Sequence, residues 1–340
     1  MLRPPLEPME ALSVEDIPPG EGWQYEPKWD GFRCIAFRDG NKITLQSKAR
    51  KPLTRYFPEL VETLKGLKAK SFVLDGEIVV PRGKAFSFDD LLQRIHPAAS
   101  RIKRLSEETP TLFLAFDLLA AGEAALKNLP LAKRRPKLEA FAKKYFQNGG
   151  RLKLSPATTR AGDAKRWLAR VGGQLDGIIA KRLDLPYRAG ERDGMQKIKN
   201  YRSADCVVGG FRYNEGRRVV GSLLLGLYDD DGLLHHVGFT SSIADKDKPA
   251  LTKKLEPLIG GSGFTGKAPG GPSRWSTRRS DEWKPLKPTL VVEVCYDHFS
   301  GDRFRHGTRL MRWRPDKSPR QCRLDQVTQR KGNLLALLAK

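Results

Sequence analysis

Apolar and polar positions alternate in short stretches along the N-terminal part of this chain, interleaved with stretches of helical spacing. YEPKWDGFRCIAFRD alternates after its glycine, Gly40-Asn41 supplies a turn, and KITLQS returns, so residues 23–45 predict a hairpin. FPELVETLKGLK (57–68) has helical spacing, SFVLDGEIVV (71–80) predicts a strand with acids near its middle, and SFDDLLQRI predicts a helix. TLFLAFDLLA (111–120) is nearly continuous in apolar residues, as a strand buried on both faces would be. LPLAKRRPKLEAFAKKY predicts a helix with a basic face, and LDGIIAKRL (175–183) and MQKIKNY (195–201) predict two more strands. This irregular alternation suits an α+β domain better than a doubly wound sheet.

The texture changes near residue 201. CVVGGFRY, VVGSLLLGLYDDDGLLHHVGFTS and LVVEVCYDHFS are short β segments joined by Gly and Asp turns, the pattern of a small barrel or sandwich. The expected division is one domain over 1–200, a second over 201–323, and a short helical tail over 324–340. Length agrees, because 340 residues suggest about two domains.

No apolar run approaches the roughly 18 residues that cross a bilayer, and the proline- and acid-rich N-terminus lacks a signal-peptide core. A cytoplasmic protein with no membrane association is therefore expected. Cys34, Cys206, Cys295 and Cys322 are far apart, without the paired spacing of a disulfide framework or zinc site, and are read as reduced thiols. The five histidines show no ligand spacing and are read as ordinary surface or core residues.

Charge adds the first functional information. The 62 Lys and Arg against 39 Asp and Glu leave a formal net charge of +23. A globular protein this basic usually faces a polyanion, nucleic acid first among them.

Two motifs lead nowhere. GGSGFTGKA is close to a phosphate-binding loop, but Ala268 stands where Ser or Thr is needed and APGGP cannot start a helix. KRRPK (133–137) could be a nuclear address and is read instead as a solvated helix face, able to touch a nucleic-acid backbone.

Lys28 is different. It sits in YEPKWDGFR between Glu26 and Asp30, with Arg33 beyond. A neutral amine attacks phosphorus and an ammonium does not; Arg33 favours the neutral form and can hold phosphate oxygens, whereas Glu26 and Asp30 oppose it or make hydrogen bonds. Further on, DGE (75–77) is read as two acids on opposite strand faces, FDLL as Phe116 and Asp117 in an apolar strand, DGIIAK as Asp176 and Lys181 on opposite faces, and KIK as Lys197 and Lys199 on one face. Each has a bland reading: a solvated turn, a core phenylalanine, an exposed basic edge.

The order K-x-D-G-x-R, DGE, FD, DG-x-x-x-K, K-x-K, with RWRPDK (312–317) near the end, resembles the covalent nucleotidyltransferases: ATP-dependent DNA ligases, RNA ligases and capping enzymes. KPLTRYFPEL, AKRLDLPYRAG, GSLLLGLYDDDG and RLMRWRPDKSP are similar to bacterial ATP-dependent DNA ligases of the C and D types, over residues 4–323. Without a polymerase or nuclease module, the stand-alone C type fits better. The resemblance implies an adenylation domain followed by an oligonucleotide-binding (OB) barrel, and sealing of 5′-phosphate/3′-hydroxyl nicks through a lysyl-AMP intermediate, in DNA repair or recombination.

It also implies roles. Lys28 is the nucleophile toward the α-phosphate of ATP, with Asp30 beside it in the catalytic motif. Glu26 contacts the adenine amino group, Phe116 stacks on adenine, and Arg33 and Glu77 hold the ribose and nearby groups. Lys181, Lys197 and Lys199 hold the nucleotide and its phosphates. Glu77 and Asp176 bind Mg²⁺ or Mn²⁺. Arg314, Asp316 and Lys317 swing in with the barrel to orient the departing pyrophosphate. Lys48 and Arg50 contact DNA. The expected partners are nicked duplex DNA and a primase-like repair polymerase, with the enzyme itself a monomer.

Two departures stand out. Asp176 replaces the family's glutamate, one methylene longer, and Lys48 in SKARK replaces its arginine. Two other readings compete: a GTP-using capping enzyme or RNA ligase, told apart by nucleotide choice, and a dead DNA clamp, which would never retain AMP.

Overall fold

The hairpin begins later than the alternation suggests. In the computed structural model, which describes residues 2–146, 150–171, 174–270, 282–328 and 332–338, strand Trp23–Lys28 belongs to one sheet and the hairpin Phe32–Asp39/Lys42–Ser47 to another. The corner at Trp29-Asp30-Gly31 makes the switch. A Cβ on Gly31 would fall 2.2 Å from the Ile78 carbonyl oxygen, so only glycine lets the chain cross there. Alternation reports which face a residue takes, not which sheet it joins.

The chain folds as two units, one of residues 1–200 with 330–340 and another of 201–329. In the first unit, Trp23–Lys28 pairs antiparallel with Gly177–Arg182, which pairs with Met195–Lys199, which pairs in parallel with Leu12–Val14. The second sheet runs Leu152–Leu154, Leu112–Ala121, Ser71–Val79, Phe32–Asp39, Lys42–Ser47. Helices Pro58–Gly66 and Leu131–Tyr145 cover it through a core that includes Leu60, Leu64, Phe72, Phe113 and Leu138. Helix Ala161–Val171 packs on the first sheet beside Tyr25 and Ile178.

The basic helix needs correcting. Arg134 and Arg135 of KRRPK are not solvated: Arg134 donates from Nε and Nη2 to Asp117 at 2.9 Å each, and Arg135 donates to Glu139 and to the Ser155 carbonyl oxygen. The acid in the apolar strand requires a buried cation, and this helix supplies it.

In the second unit, the sheet runs Leu234–Thr240, Arg217–Tyr228, Arg202–Asn214, Val291–Tyr296, Arg309–Trp313. A parallel bridge between Thr240 and Thr308 joins its two ends and closes the barrel. Register shifts at Val208/Gly210 and Leu225/Gly226 give its long strands their bend. Val207, Phe211, Leu225, Val237 and Val292 fill the inside. The near phosphate loop lies here without a helix after it among the described residues, and its Lys267 pairs with Asp302 at 2.7 Å.

The tail is also different from expectation. Its described residues hold two single 3₁₀ turns, Leu324–Val327 in the barrel unit and Leu335–Leu337 in the first unit, where Leu334 and Leu337 are buried with Tyr25 and Ile178. Residues 329–331 and 339–340 of that stretch lie outside the described residues. Apolar anchors on separate cores, rather than one amphipathic face, set its path. All four cysteines are free and buried. No described helix is long and apolar enough to cross a membrane.

Candidate active site

Lys28 ends its strand opposite Gly177, and its Nζ donates to Asp176, whose side chain is buried. It faces a cleft of about 450 Å³ shared by Arg33, Glu77, Phe116, Lys181 and Lys197, with Met9–Ser13 forming a strap along one wall. Two neighbouring sheets supply these groups, so the corner at residues 29–31 sets Lys28 and Arg33 on the same cleft.

Glu26, two residues before Lys28, points the same way along the strand. It is buried and accepts from Lys181 Nζ at 2.8 Å and from Gln24 Nε2 at 2.7 Å. The Lys181 ammonium also lies 4.5 Å from the centre of the Phe116 ring, and the Arg33 guanidinium lies 4.6 Å from that centre. Phe116 is therefore a wall of the cleft, not core filling, and its π face is electron-rich where cations gather.

Arg33 donates from Nε and Nη2 to Asp75, both at 2.6 Å. This corrects the reading of DGE as acids on opposite faces. Residues two apart in a strand share a face, and Asp75 and Glu77 both act on Arg33, one by a bidentate bond and one by its field. Arg33 is thus a clamped cation rather than a free neighbour that tunes Lys28.

Burial pushes the Glu77 carboxyl up to about 8; Arg33 and Lys28 pull it back, while Asp30 and Asp75 add to the rise. Its folded value lies above its ordinary one of 4.5. It therefore contributes stability that is complete below that ordinary value and is lost as pH rises through about 8. Against Glu77→Gln, the wild type is expected to lose urea stability between pH 5 and pH 9. A difference between the two that is constant across this range would mean that the carboxyl titrates normally.

Lys197 lines the same cleft from the same sheet as Lys28. Burial, then the fields of Lys28, Lys48, Lys199 and Arg192, hold its ammonium below the usual lysine range. This crowding of like charge is relieved by a polyanion. Lys48 lines the same cleft but pairs with Glu10 at 3.4 Å, and Arg50 pairs with Glu7 at 2.7 Å. Both pairs are exposed and weak, so their cations are readily exchanged onto phosphate.

In the barrel unit, Arg314 is bidentate on Asp316, and it and Lys317 both reach Asp205, at 2.9 and 2.6 Å. Asp205 escaped the sequence reading, as did Tyr187, Arg192 and the Met9–Ser13 strap. Only an acid amid the apolar residues of ADCVVGG hinted at the first; nothing local marked the others.

Residues 8–199 match the family model for the ATP dependent DNA ligase domain, and residues 216–317 match that for the ATP dependent DNA ligase C terminal region. The chain is 45% identical over 338 residues to DNA ligase C1 of Mycolicibacterium smegmatis, covering 96% of this chain and 94% of that one. It is 41% identical to DNA ligase C of Mycobacterium tuberculosis, again covering 96% and 94%. The structure of a Lig E DNA ligase, 15% identical, superposes with a TM-score of 0.54 over 90% of this chain and all of that one, a likeness of fold. With a lysine-centred cleft on one unit, a closed barrel as the other, and both family models matched in order, the chain belongs to the ATP-dependent DNA ligases.

Proposed function

We propose that this ligase seals 5′-phosphate/3′-hydroxyl nicks in duplex DNA with Lys28 as its nucleophile. The observation that carries the residue assignment is the Lys28 amine held by Asp176 on a cleft crowded with cations. In the first step Lys28 Nζ loses a proton and forms a bond to the α-phosphorus of ATP, while the α–β anhydride bond breaks and pyrophosphate leaves. Asp176, the hydrogen-bond partner of Lys28, takes that proton. Next, a 5′-phosphate oxygen of the nick takes the AMP from Nζ, breaking the P–N bond. The 3′-hydroxyl then attacks that phosphate, closes the strand and expels AMP.

Phosphoryl transfer of this kind needs alignment and positive charge more than covalent help. Glu26 contacts the adenine amino group, Phe116 stacks on the base, and Arg33 holds the ribose. Lys181, beside Glu26 and Phe116, holds the nucleotide, and Lys197 and Lys199 hold its phosphates; Arg314, Asp316 and Lys317 orient the departing pyrophosphate. Asp30 stands at the corner that carries Lys28 into the cleft.

Asp176 and Glu77 would hold Mg²⁺ or Mn²⁺. The donor set fits, because both offer hard oxygens, and burial together with the neighbouring Asp30 and Asp75 disfavours the Glu77 carboxylate without a further cation. A divalent cation there supplies charge neutralisation at the phosphate oxygens.

Lys48 and Arg50 contact the DNA backbone. Lys48→Arg keeps the charge and adds a bidentate donor, so sealing is expected to be preserved or improved; a clear loss would show that the side chain has another role. A monomer in the cytoplasm, working beside a primase-like polymerase, completes the proposal.

The test is ligation of a nicked duplex with ATP and Mg²⁺ by wild type and Lys28→Ala. Sealing by wild type alone, with AMP retained on the protein, supports the reading. Labelling from GTP in place of ATP would instead make it a capping-type enzyme.

A further inference from the structure

Arg33 is held in the cleft by a network that reaches outside it. Asp75, completely buried, accepts from Arg33 on both oxygens and also from the Tyr187 hydroxyl at 2.6 Å. The same hydroxyl oxygen accepts from the Met9 backbone N–H at 3.0 Å. Tyr187 is itself buried, lies between the strands Gly177–Arg182 and Met195–Lys199, and does not line the cleft. Its single oxygen thus joins three parts of the first unit: the strap at Met9, the strand of Asp75, and the loop of residues 183–194. Both of the groups it steadies, Met9 and Arg33, do line the cleft.

We propose that Tyr187 is a positioning residue for nucleotide binding: through Asp75 it fixes the Arg33 guanidinium, and through Met9 it fixes the strap against which the nucleotide lies. This rests on the reading of the cleft as the ATP site. The physical reason is the number of partners. A carboxylate with a single cation can rotate about its Cβ–Cγ bond, whereas one that also accepts from a fixed phenol has one orientation, and Arg33 inherits it. The Met9 N–H lies in an otherwise irregular segment, where a buried donor without a partner is costly; bonding it to the same phenol ties the strap to the clamp. The hydroxyl stays protonated at any working pH, because burial raises it and Asp75 adds to the rise. The link is therefore a permanent one.

Tyr187→Phe removes one oxygen and keeps the ring. In lysyl-AMP formation by the full chain, the KM for ATP is expected to rise about tenfold, the effect of losing a hydrogen bond to a charged group. At saturating ATP the rate should stay within about threefold, since no group touching the reacting atoms has changed. Exchange of the Met9 amide with solvent should speed up. Arg33→Ala should raise the same KM, and adding Tyr187→Phe to it should raise it by less than Tyr187→Phe does alone, because the phenol's route through the arginine is already lost and only its route through the strap remains.

A Tyr187→Phe variant with a lowered melting temperature but an unchanged KM would overturn the inference and leave the phenol a structural group. Fully additive effects with Arg33→Ala would overturn it too. An Arg33→Ala variant that binds ATP normally would instead remove the reading of Arg33 on which the inference rests.

Discussion

Lys28→Arg will bind ATP yet take up no AMP. The guanidinium keeps a positive charge beside Asp176, so the cleft retains its fields and its fold. It cannot act as a nucleophile, because it stays protonated and its lone pairs are delocalised. Lysyl-AMP formation should fall by on the order of 10⁴-fold or more, the scale on which removing a nucleophile acts. Two measurements check this: retention of labelled AMP on the protein and equilibrium binding of ATP. The variant should still close a nick that already carries AMP on its 5′-phosphate, because that step asks for the 3′-hydroxyl and not the lysine. AMP uptake within tenfold of wild type would place the nucleophile elsewhere, and Lys197 would be the next candidate, since burial and then its cationic neighbours hold its ammonium down.

Asp117→Ala is expected to be the most damaging change outside the cleft. It strands Arg134, whose side chain is 2% exposed and whose bidentate partner is gone. Removing one member of a buried pair costs about 3–5 kcal/mol. The neighbouring Lys133, exposed on the same helix, has no such partner role, and Lys133→Ala should stay within about 0.5 kcal/mol. Urea midpoints of the two variants make the comparison. Similar midpoints would mean that water reaches Arg134 in the folded protein.

The contrast between these two cations shows where sequence reading stops. Both lie in KRRPK, and composition treats them alike. Helical periodicity says only that positions 134 and 138 share a face. It does not say that an acid in the apolar strand Leu112–Ala121 lies under it. The same limit explains Asp75 and Glu77. Sequence marked both as acids in a strand, while the phenol that steadies Asp75 comes from residue 187, more than a hundred positions away.

The sequence alone carried the chemistry: the lysine with its flanking acids, the ordered basic and acidic motifs, the excess of cations, the α+β unit and the β-rich unit after it. These are legible because amine, guanidinium and carboxylate are distinct residue types whose order along the chain can be read directly, and because strand and helix periods are local. Tertiary structure decided what each charge does. It split the apparent hairpin between two sheets at Gly31, clamped Arg33 on Asp75, set Lys181 on Glu26 and over Phe116, and gave Arg314 and Lys317 their shared Asp205. Pairing energy depends on distance and burial, and both are fixed by segments that meet only after the chain has folded.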